Sequence, residues 1–338
     1  MVLMNAVEDF LSKGKLLSPE VLEEAGSLET EDMERVIESS GLVITKKDIQ
    51  EVKIPKPEIV HHGEGGGGEV HVSELTEFYL DRFEFLKEEV KNRLDDANIS
   101  SINNLSSGKS SVIGMVRKVD DGNVLIEDKT GELTLKTDEK FLEDEVIGVK
   151  GEVIVNEDVI MSPSKIVNPD VPIRRNVPTL DQEFTALFVS EVNDDVKERL
   201  RDIEPDYVFC ASEQKGDKEA VHISEEPDEL SDIDPVRCDL GDLHILLHDG
   251  EALVKAEREL EADTKEALVA LLKKRHLDPL EMHSLQDRYL IRKVPDILHV
   301  KGNESVMTNY KGVTLLSTTD DTAFLVNLKT REVDEIEI

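Results

Sequence analysis

Residues 4 to 50 place apolar side chains at helical spacing, Val7, Phe10 and Leu11, then Leu22, then Met33, Val36 and Ile37, with charged positions between them. Ser18-Pro19-Glu20 and the run from Ser27 to Asp32 read as capped helix starts, so a module of about three helices is expected over 1–50. Pro55 and Pro57, then Gly63 to Gly68 interrupted only by Glu64, read as a flexible linker over 51–72. Beyond it Leu75, Phe78, Tyr79, Phe83, Leu86, Val90 and Leu94 trace the apolar stripe of a long helix from Ser73 to Asp95. That stripe reads as core or interface, with the segment 73–104 packing on the barrel-like region C-terminal to it.

At Ser111 the period changes from helical to alternating. Val112 to Val119 runs into Asp120-Asp121-Gly122, Val124 to Glu127 into Lys129-Thr130-Gly131, and Leu133 to Lys136 completes a meander. A short acidic helix is expected from Glu139 to Leu142, then strands over Val146 to Val155 and Val159 to Val167. Five short strands with a small helix after the third describe an OB-type β-barrel, over 105–175. Such barrels bind oligonucleotides or serve as rigid docking modules. Arg117, Lys118, Lys136 and Phe141 make a thin stacking and cationic surface, which favours docking.

After Pro169, Pro172 and Pro178, the segment 176–338 reads as α/β. Strands are expected at Phe184 to Ser190, Asp206 to Cys210, Leu243 to His248 and Asp296 to Val300, with helices at Asp194 to Ile203 and Glu251 to His276. Val313 to Ser317, Phe324 to Leu328 and Glu332 to Ile338 read as a closing β meander. The fold class is therefore α+β and multidomain.

Charge changes the picture of where this fold works. Of 338 residues, 75 are acidic and 40 basic, a net charge of −35, which excludes a basic wrapper of nucleic acid. An acidic surface of that density repels itself unless salt screens it, so a halophile's cytoplasm is the expected setting. Acidic disorder is the alternative, and only the first 75 residues approach its composition. No run of ~20 apolar residues and no basic-then-apolar leader is present, so neither a membrane nor export is expected. Cys210 and Cys238, with no CxxC, read as buried small hydrophobes. Gly63 to Gly68 lacks the strand and Lys-Ser or Lys-Thr of a phosphate loop, and Ser190 lacks the glycines of a nucleophile elbow. His61-His62 reads as linker surface.

Several longer runs carry a family resemblance. Phe141-Leu142-Glu143-Asp144-Glu145-Val146-Ile147-Gly148-Val149-Lys150-Gly151 is followed by Ile166-Val167-Asn168-Pro169-Asp170-Val171-Pro172. Downstream come Leu272-Lys273-Lys274-Arg275-His276-Leu277-Asp278-Pro279, Val294-Pro295-Asp296-Ile297-Leu298-His299 and Tyr310-Lys311-Gly312-Val313. In order from about residue 74 onward these resemble the small subunit of archaeal family D DNA polymerase. The resemblance implies an OB barrel fused to a calcineurin-like phosphoesterase sandwich, in this chain reduced in size, and a 3′→5′ exonuclease site with two metals, Mn or Mg. That chemistry needs two cations ~4 Å apart, a bridging carboxylate and several His and Asn ligands.

The family's ligand motifs, resembling D-x-H, G-D, G-N-H-D, His-Gly and G-H-x-H, are altered in this chain. Ser190-Glu191-Val192-Asn193 puts Glu191 and Asn193 in place of Asp and His, and only about fifteen residues separate Glu191 from the next strand at Asp206, leaving no segment for the bridging aspartate. Glu213, in Ala211-Ser212-Glu213-Gln214, is the remnant of G-N-H-D. Asp249 follows His248 at the His-Gly position, and Lys301-Gly302-Asn303-Glu304 follows His299 at G-H-x-H. Glu191, Asn193, Glu213, Asp249, His299, Asn303 and Glu304 are thus degenerate metal-site positions, with no catalytic residue and no cofactor expected.

The function implied is that of a non-catalytic, architectural subunit docking the large polymerising subunit, similar to the inactive phosphoesterase-like accessory subunits of eukaryotic replicative polymerases. The N-terminal module would meet other replication proteins, with DNA contact mainly through the complex. Two alternatives stand beside it: an exonuclease with rearranged ligands, and a free single-stranded DNA-binding protein.

Overall fold

The computed structural model describes residues 10–21, 33, 36–37, 41–46, 57–59, 72–96, 98–172, 175–180, 183–192, 194–211, 235–277 and 287–338. The chain divides into two units, Met1–Pro57 and Glu58–Ile338.

In the first unit, most of the expected helical module lies outside the described residues. The described part includes two short strands, Leu16–Leu17 (β1) and Val43–Ile44 (β2), paired in parallel. Helical periodicity gave no sign of them, because two residues are too few to show alternation. Phe10, Val21, Val36 and Ile44 are buried together as a small core.

The second unit begins with a short strand, Glu58–Ile59 (β3), inside the segment read as linker; the glycine run itself lies outside the described residues. A helix, Val72–Leu94 (α1), then leads into the barrel. The barrel strands are Gly108–Asp120 (β4), Asn123–Glu127 (β5), Glu132–Lys136 (β6), Val146–Val155 (β7) and Val159–Val167 (β8). They close in the order β4-β5-β6-β8-β7, the OB-type arrangement. β4 is long enough to pair with β5 at one end and β7 at the other, and a bulge between Val116 and Lys118 lets it bend. Alternate residues, among them Val112, Ile126, Leu135, Val149 and Met161, fill the interior.

The helix expected at Glu139 to Leu142 is absent; those residues are irregular, and a turn follows at Glu143 and Asp144, where Asp144 takes φ 62°. Phe141 enters the barrel core and Leu142, its neighbour, the core of the following α/β body. Adjacent side chains aimed in opposite directions require extended backbone.

α1 lies against β7, where Gly148 makes room for it: a Cβ there would stand 2.5 Å from Val90 Cγ1 and 2.9 Å from Val167 Cγ2. Gly148→Ala should therefore cost ~1–3 kcal/mol by overpacking. The chemical denaturation midpoint measures it, and an unchanged midpoint would mean the helix is not seated this closely.

The α/β body contains two sheets. One runs in the order β10-β9-β16-β17, built from Thr185–Val189 (β9), Tyr207–Cys210 (β10), Thr322–Asn327 (β16) and Val333–Glu337 (β17). The helix Asp194–Ile203 (α2) joins the parallel pair β9 and β10. The other runs β14-β15-β13-β12-β11-β3, built from Val236–Leu240 (β11), Leu243–His248 (β12), Ile297–Lys301 (β13), Val306–Tyr310 (β14), Val313–Thr318 (β15) and β3. β12, β13 and β15 are parallel, and Glu251–Leu260 (α3) with Thr264–Lys274 (α4) carries the chain from β12 towards β13. Ala256, Leu268, Leu271 and Leu272 bury this helical pair against Leu298 and Leu315. The sheets meet where the Phe188 ring stands 5.4 Å from that of His299.

Two further elements differ from expectation. The single helix over Glu251 to His276 is two, because Glu261 takes φ 49° and Asp263 starts α4 by accepting a hydrogen bond from the Glu266 N–H at 2.7 Å. The closing meander does not form: β15 belongs to the six-stranded sheet, while β16 and β17 belong to the four-stranded one. Strands β11 and β14 were not anticipated. Their signals were the two-residue turns Gly241-Asp242 and Lys311-Gly312, the latter with φ 50° and 81°. Among the described residues, no helix is long and apolar enough to cross a membrane.

Candidate functional site

The carboxyl ends of β9, β12 and β13 come together, and the residues following them are the ones the ligand motifs would occupy. Gly250 after β12 takes φ 102°, and a Cβ there would collide with the Lys301 carbonyl at the end of β13. A Cβ at Gly302 would collide with Ser317 Oγ, which itself donates to the Glu304 carbonyl at 2.8 Å. Gly250→Ala should cost about 2–3 kcal/mol, since it combines a disfavoured φ with a backbone clash. A fall in thermal midpoint tests this, and an unaffected midpoint would contradict the packing of these two loops.

At the end of β9, Ser190 Oγ lies 2.9 Å from the Thr319 carbonyl and 3.0 Å from Asp320 Oδ1. Asp320 Oδ1 also receives Lys301 Nζ at 2.8 Å, a hydrogen bond that, with help from Ser190, holds the Asp320 carboxyl below its ordinary range. Both side chains are partly exposed, so the pair contributes at most about 1 kcal/mol. Its importance is positional: an ammonium stands beside the strand ends where the resembled family needs a pocket for cations.

Of the other positions singled out from the sequence, the described ones do not converge on a common point. Glu191 is half-buried just beyond Ser190, while Asn193 and Glu213 lie outside the described residues. Asp249 Oδ1 accepts the Glu251 N–H at 3.1 Å at the start of α3, and stands 3.5 Å from His248 Nδ1. His299 is wholly buried, 2.8 Å from Thr318 Oγ1 through Nε2, and its Nδ1 meets no hydrogen-bond partner among the described residues. Burial holds the His299 pKa down at about 3, so the ring is neutral. Asn303 and Glu304 are exposed in the turn after β13, with Glu304 Oε2 3.4 Å from Thr264 Oγ1. Among the described residues no three His, Cys, Asp or Glu side chains converge, so the described donor set does not fit a pair of metal ions. Sequence reasoning missed Asp320, since the Thr319 to Thr322 turn looks like any solvated acidic turn.

A second constellation joins α1 and the barrel to the α/β body. Arg82 of α1, 2% exposed, donates through Nε to Asp287 Oδ2 at 2.6 Å, and Asp287 is 1% exposed. His276 Nε2 stands 3.4 Å from Asp287 Oδ1, and the Arg82 guanidinium packs over Phe78 and Tyr79 at 4.9 and 5.4 Å from the ring centroids. Burial opposes ionisation of Asp287, but His276 and Arg82 outweigh it and hold the carboxyl below its ordinary value. Burial, reinforced by the Arg82 charge, lowers the His276 pKa to about 4. Around this centre Arg275 meets Glu89 at 3.2 Å, Lys274 Nζ reaches the Glu143 carbonyl at 3.0 Å, and Arg292 pairs with Asp81. Arg93 donates to the Val171 carbonyl at 2.5 Å. Leu290 completes the apolar contact, buried among Phe83, Leu86 and Val90. Lys274, Arg275 and His276 belong to one of the runs that carry the family resemblance, so that run maps onto this seam.

Several cations of the barrel are engaged. Arg117 bridges Glu127 at 2.8 Å and Asp144 at 2.7 Å, Lys118 meets Asp120 at 2.5 Å, and Lys150 meets Asp96 at 2.8 Å.

No family model matches the chain, and no curated protein matches it. Solved structures resemble about a fifth of it. A chain of the S. pombe Stn1-Ten1 complex is 20% identical over 21% of this chain and 75% of its own, with a TM-score of 0.19. The telomere capping protein Ten1 from Saccharomyces pombe is 19% identical over 21% of this chain and 79% of its own, with a TM-score of 0.18. OBody AM1L10, in a structure bound to hen egg-white lysozyme, is 17% identical over 21% of this chain and 92% of its own, with a TM-score of 0.18. Likenesses of this size bear on no function.

Proposed function

We propose that this chain is the architectural, non-catalytic small subunit of a family D replicative DNA polymerase, with the α/β body a reduced calcineurin-like phosphoesterase sandwich. The observation that carries the reading is the Lys301 ammonium, ion-paired with Asp320 beside Ser190 at the strand ends. An ammonium held on that carboxylate competes with a divalent cation for it. The Arg82–Asp287 seam supports it further, because a barrel and an α/β body bound into one piece offer a stiff surface to the large polymerising subunit. The N-terminal module meets other replication proteins, and DNA is met mainly through the complex. The setting is a halophile's cytoplasm, where salt screens phosphate attraction and a charge-based grip on DNA contributes little.

Incubating the purified chain with labelled single-stranded DNA and Mn²⁺ tests this directly. No degradation is expected; degradation abolished by Glu191→Ala would establish the exonuclease reading instead.

The closed OB-type barrel favours a second reading, a free single-stranded DNA-binding protein. Against it stands the pairing of Arg117, Lys118 and Lys150 with carboxylates. Fluorescence anisotropy in high salt separates the two: tight binding by the isolated chain contradicts the docking reading.

A further inference from the structure

The Met1–Pro57 unit carries a surface whose make-up runs against that of the chain as a whole. Leu16 and Val43 are partners in the parallel β1–β2 ladder, and so are Leu17 and Ile44. Ile44 is buried and Leu17 packs on the same small core, so alternation turns Leu16 and Val43 to the outer face. There Leu16 is 49% exposed and Val43 47%. Leu42, 68% exposed, adjoins them, because its carbonyl accepts the Leu16 N–H at 2.9 Å. Leu11, 52% exposed, lies in the turn that leads into β1. Eleven large apolar side chains are exposed among the described residues, and this one small ladder with its leading turn holds four of them.

Lysines border this face. Lys15 Nζ donates to the Gly41 carbonyl at 3.2 Å, which carries its ammonium from the residue before β1 to the residue before Leu42. Lys13 precedes the ladder and Lys46 follows it, both exposed. The segments 10–19 and 39–47 contain Lys13, Lys15, Lys46 and Lys47 and neither Asp nor Glu, in a chain where acidic residues outnumber basic ones by 75 to 40. Clustered aliphatic exposure marks a contact surface, and the local excess of cations selects an acidic partner.

We infer that the outer face of the β1–β2 ladder docks a short acidic peptide with aliphatic anchors, presented by another protein. The inference rests on the reading of the N-terminal module as the contact for other replication proteins, and it gives that contact a place and a chemistry. Aliphatic anchors would bury against Leu16, Leu42 and Val43, a gain that salt does not screen. At 1 M salt the screening length is about 3 Å, so only carboxylates in direct contact with the lysines add to it. A second copy of this chain would set lysines against lysines, and four apolar side chains are few beside the roughly 20–30 residues a side of a stable interface. Single-stranded nucleic acid asks for aromatic stacking platforms, whereas this face is aliphatic.

The test selects a library of random short peptides on the full chain in high potassium chloride, in parallel with a variant carrying Leu42→Asn and Val43→Thr. Both positions are exposed, so the substitutions should leave folding intact. Peptides retained by wild type and not by the variant should combine Leu, Ile or Val with Asp or Glu. The best of them, fluorescein-labelled, should bind wild type saturably in anisotropy and the variant at least about tenfold more weakly. Lys13→Glu with Lys46→Glu should weaken that peptide and strengthen its charge-reversed counterpart, an exchange that loss of folding cannot produce. The Leu42→Asn, Val43→Thr variant should still capture the large polymerising subunit, so failure of this site and failure of the polymerase reading are told apart. Differentially retained peptides that are basic or aromatic, or identical selection by wild type and variant, would overturn the inference. Self-association of the chain that the same variant abolishes, or displacement of the peptide by an oligothymidine, would give the face to a second copy or to nucleic acid and overturn it as well.

Discussion

Lowering the pH from 7 to 4 at constant high salt should remove about 6–7 kcal/mol of stability from the Glu58–Ile338 unit, most of what a protein of this kind possesses. The cause is two wholly buried imidazoles. His276 and His299 have folded pKa values of about 4 and about 3, against 6.5 when free. Between pH 6.5 and 4 the unfolded chain binds protons that the folded chain refuses, so stability rises with pH there and levels off above it. Each histidine contributes a slope of about 1.4 kcal/mol per pH unit. The groups facing His276 are Arg82, Lys274 and Asp287, and the lowered Asp287 carboxyl adds its own loss only below about pH 4, the ordinary carboxylate value. Urea midpoints at pH 7, 6, 5 and 4 measure the slope. His299→Gln, which retains an acceptor for Thr318, should reduce it by one proton's share. A flat profile between pH 7 and 5 would show that these rings are not held neutral by burial.

Arg82→Met should cost about 3–5 kcal/mol, because it leaves the buried Asp287 carboxylate without its main cationic partner. Methionine fills much of the space over Phe78 and Tyr79, so the loss is chiefly electrostatic. Replacing both partners, Arg82→Met with Asp287→Asn, should restore part of the stability, since the uncompensated charge is then gone. The double-mutant cycle reads the coupling, which is expected to exceed 1 kcal/mol for residues in direct contact. Additive single effects would place Arg82 outside the seam. Limited proteolysis supplies an independent check, with cleavage of the single variant increasing between the barrel and the α/β body.

Much of the barrel was legible in the sequence. Val146–Val155 and Val159–Val167 begin and end where alternation and turn residues place them, because a half-buried strand writes its faces into every second residue. The failures have equally local causes. Phe141 and Leu142 serve two different cores, so their adjacency imitated a helix start. Glu261 and Asp263 break a helical run with no glycine or proline to announce it. The division between sheets at Thr319 to Asp321 is invisible to periodicity, since β15 and β16 each read as good strands whichever sheet they join.

Of the candidate site, the positions at the ends of β9, β12 and β13 could be named from motifs alone. Their partners could not. Asp320 lies far along the chain from Ser190, and the Arg82–Asp287 pair spans 205 residues, separations at which spacing carries no information.

If this chain works by holding a polymerase together, its partner should travel with it. The most direct measurement is capture of the tagged full-length chain from its own cells in high salt, with the bound chains identified by mass spectrometry and their ratio determined. The large polymerising subunit of family D is expected in near one-to-one amount. Recovery of the chain without any family D subunit, under conditions where it stays folded, would contradict the architectural role.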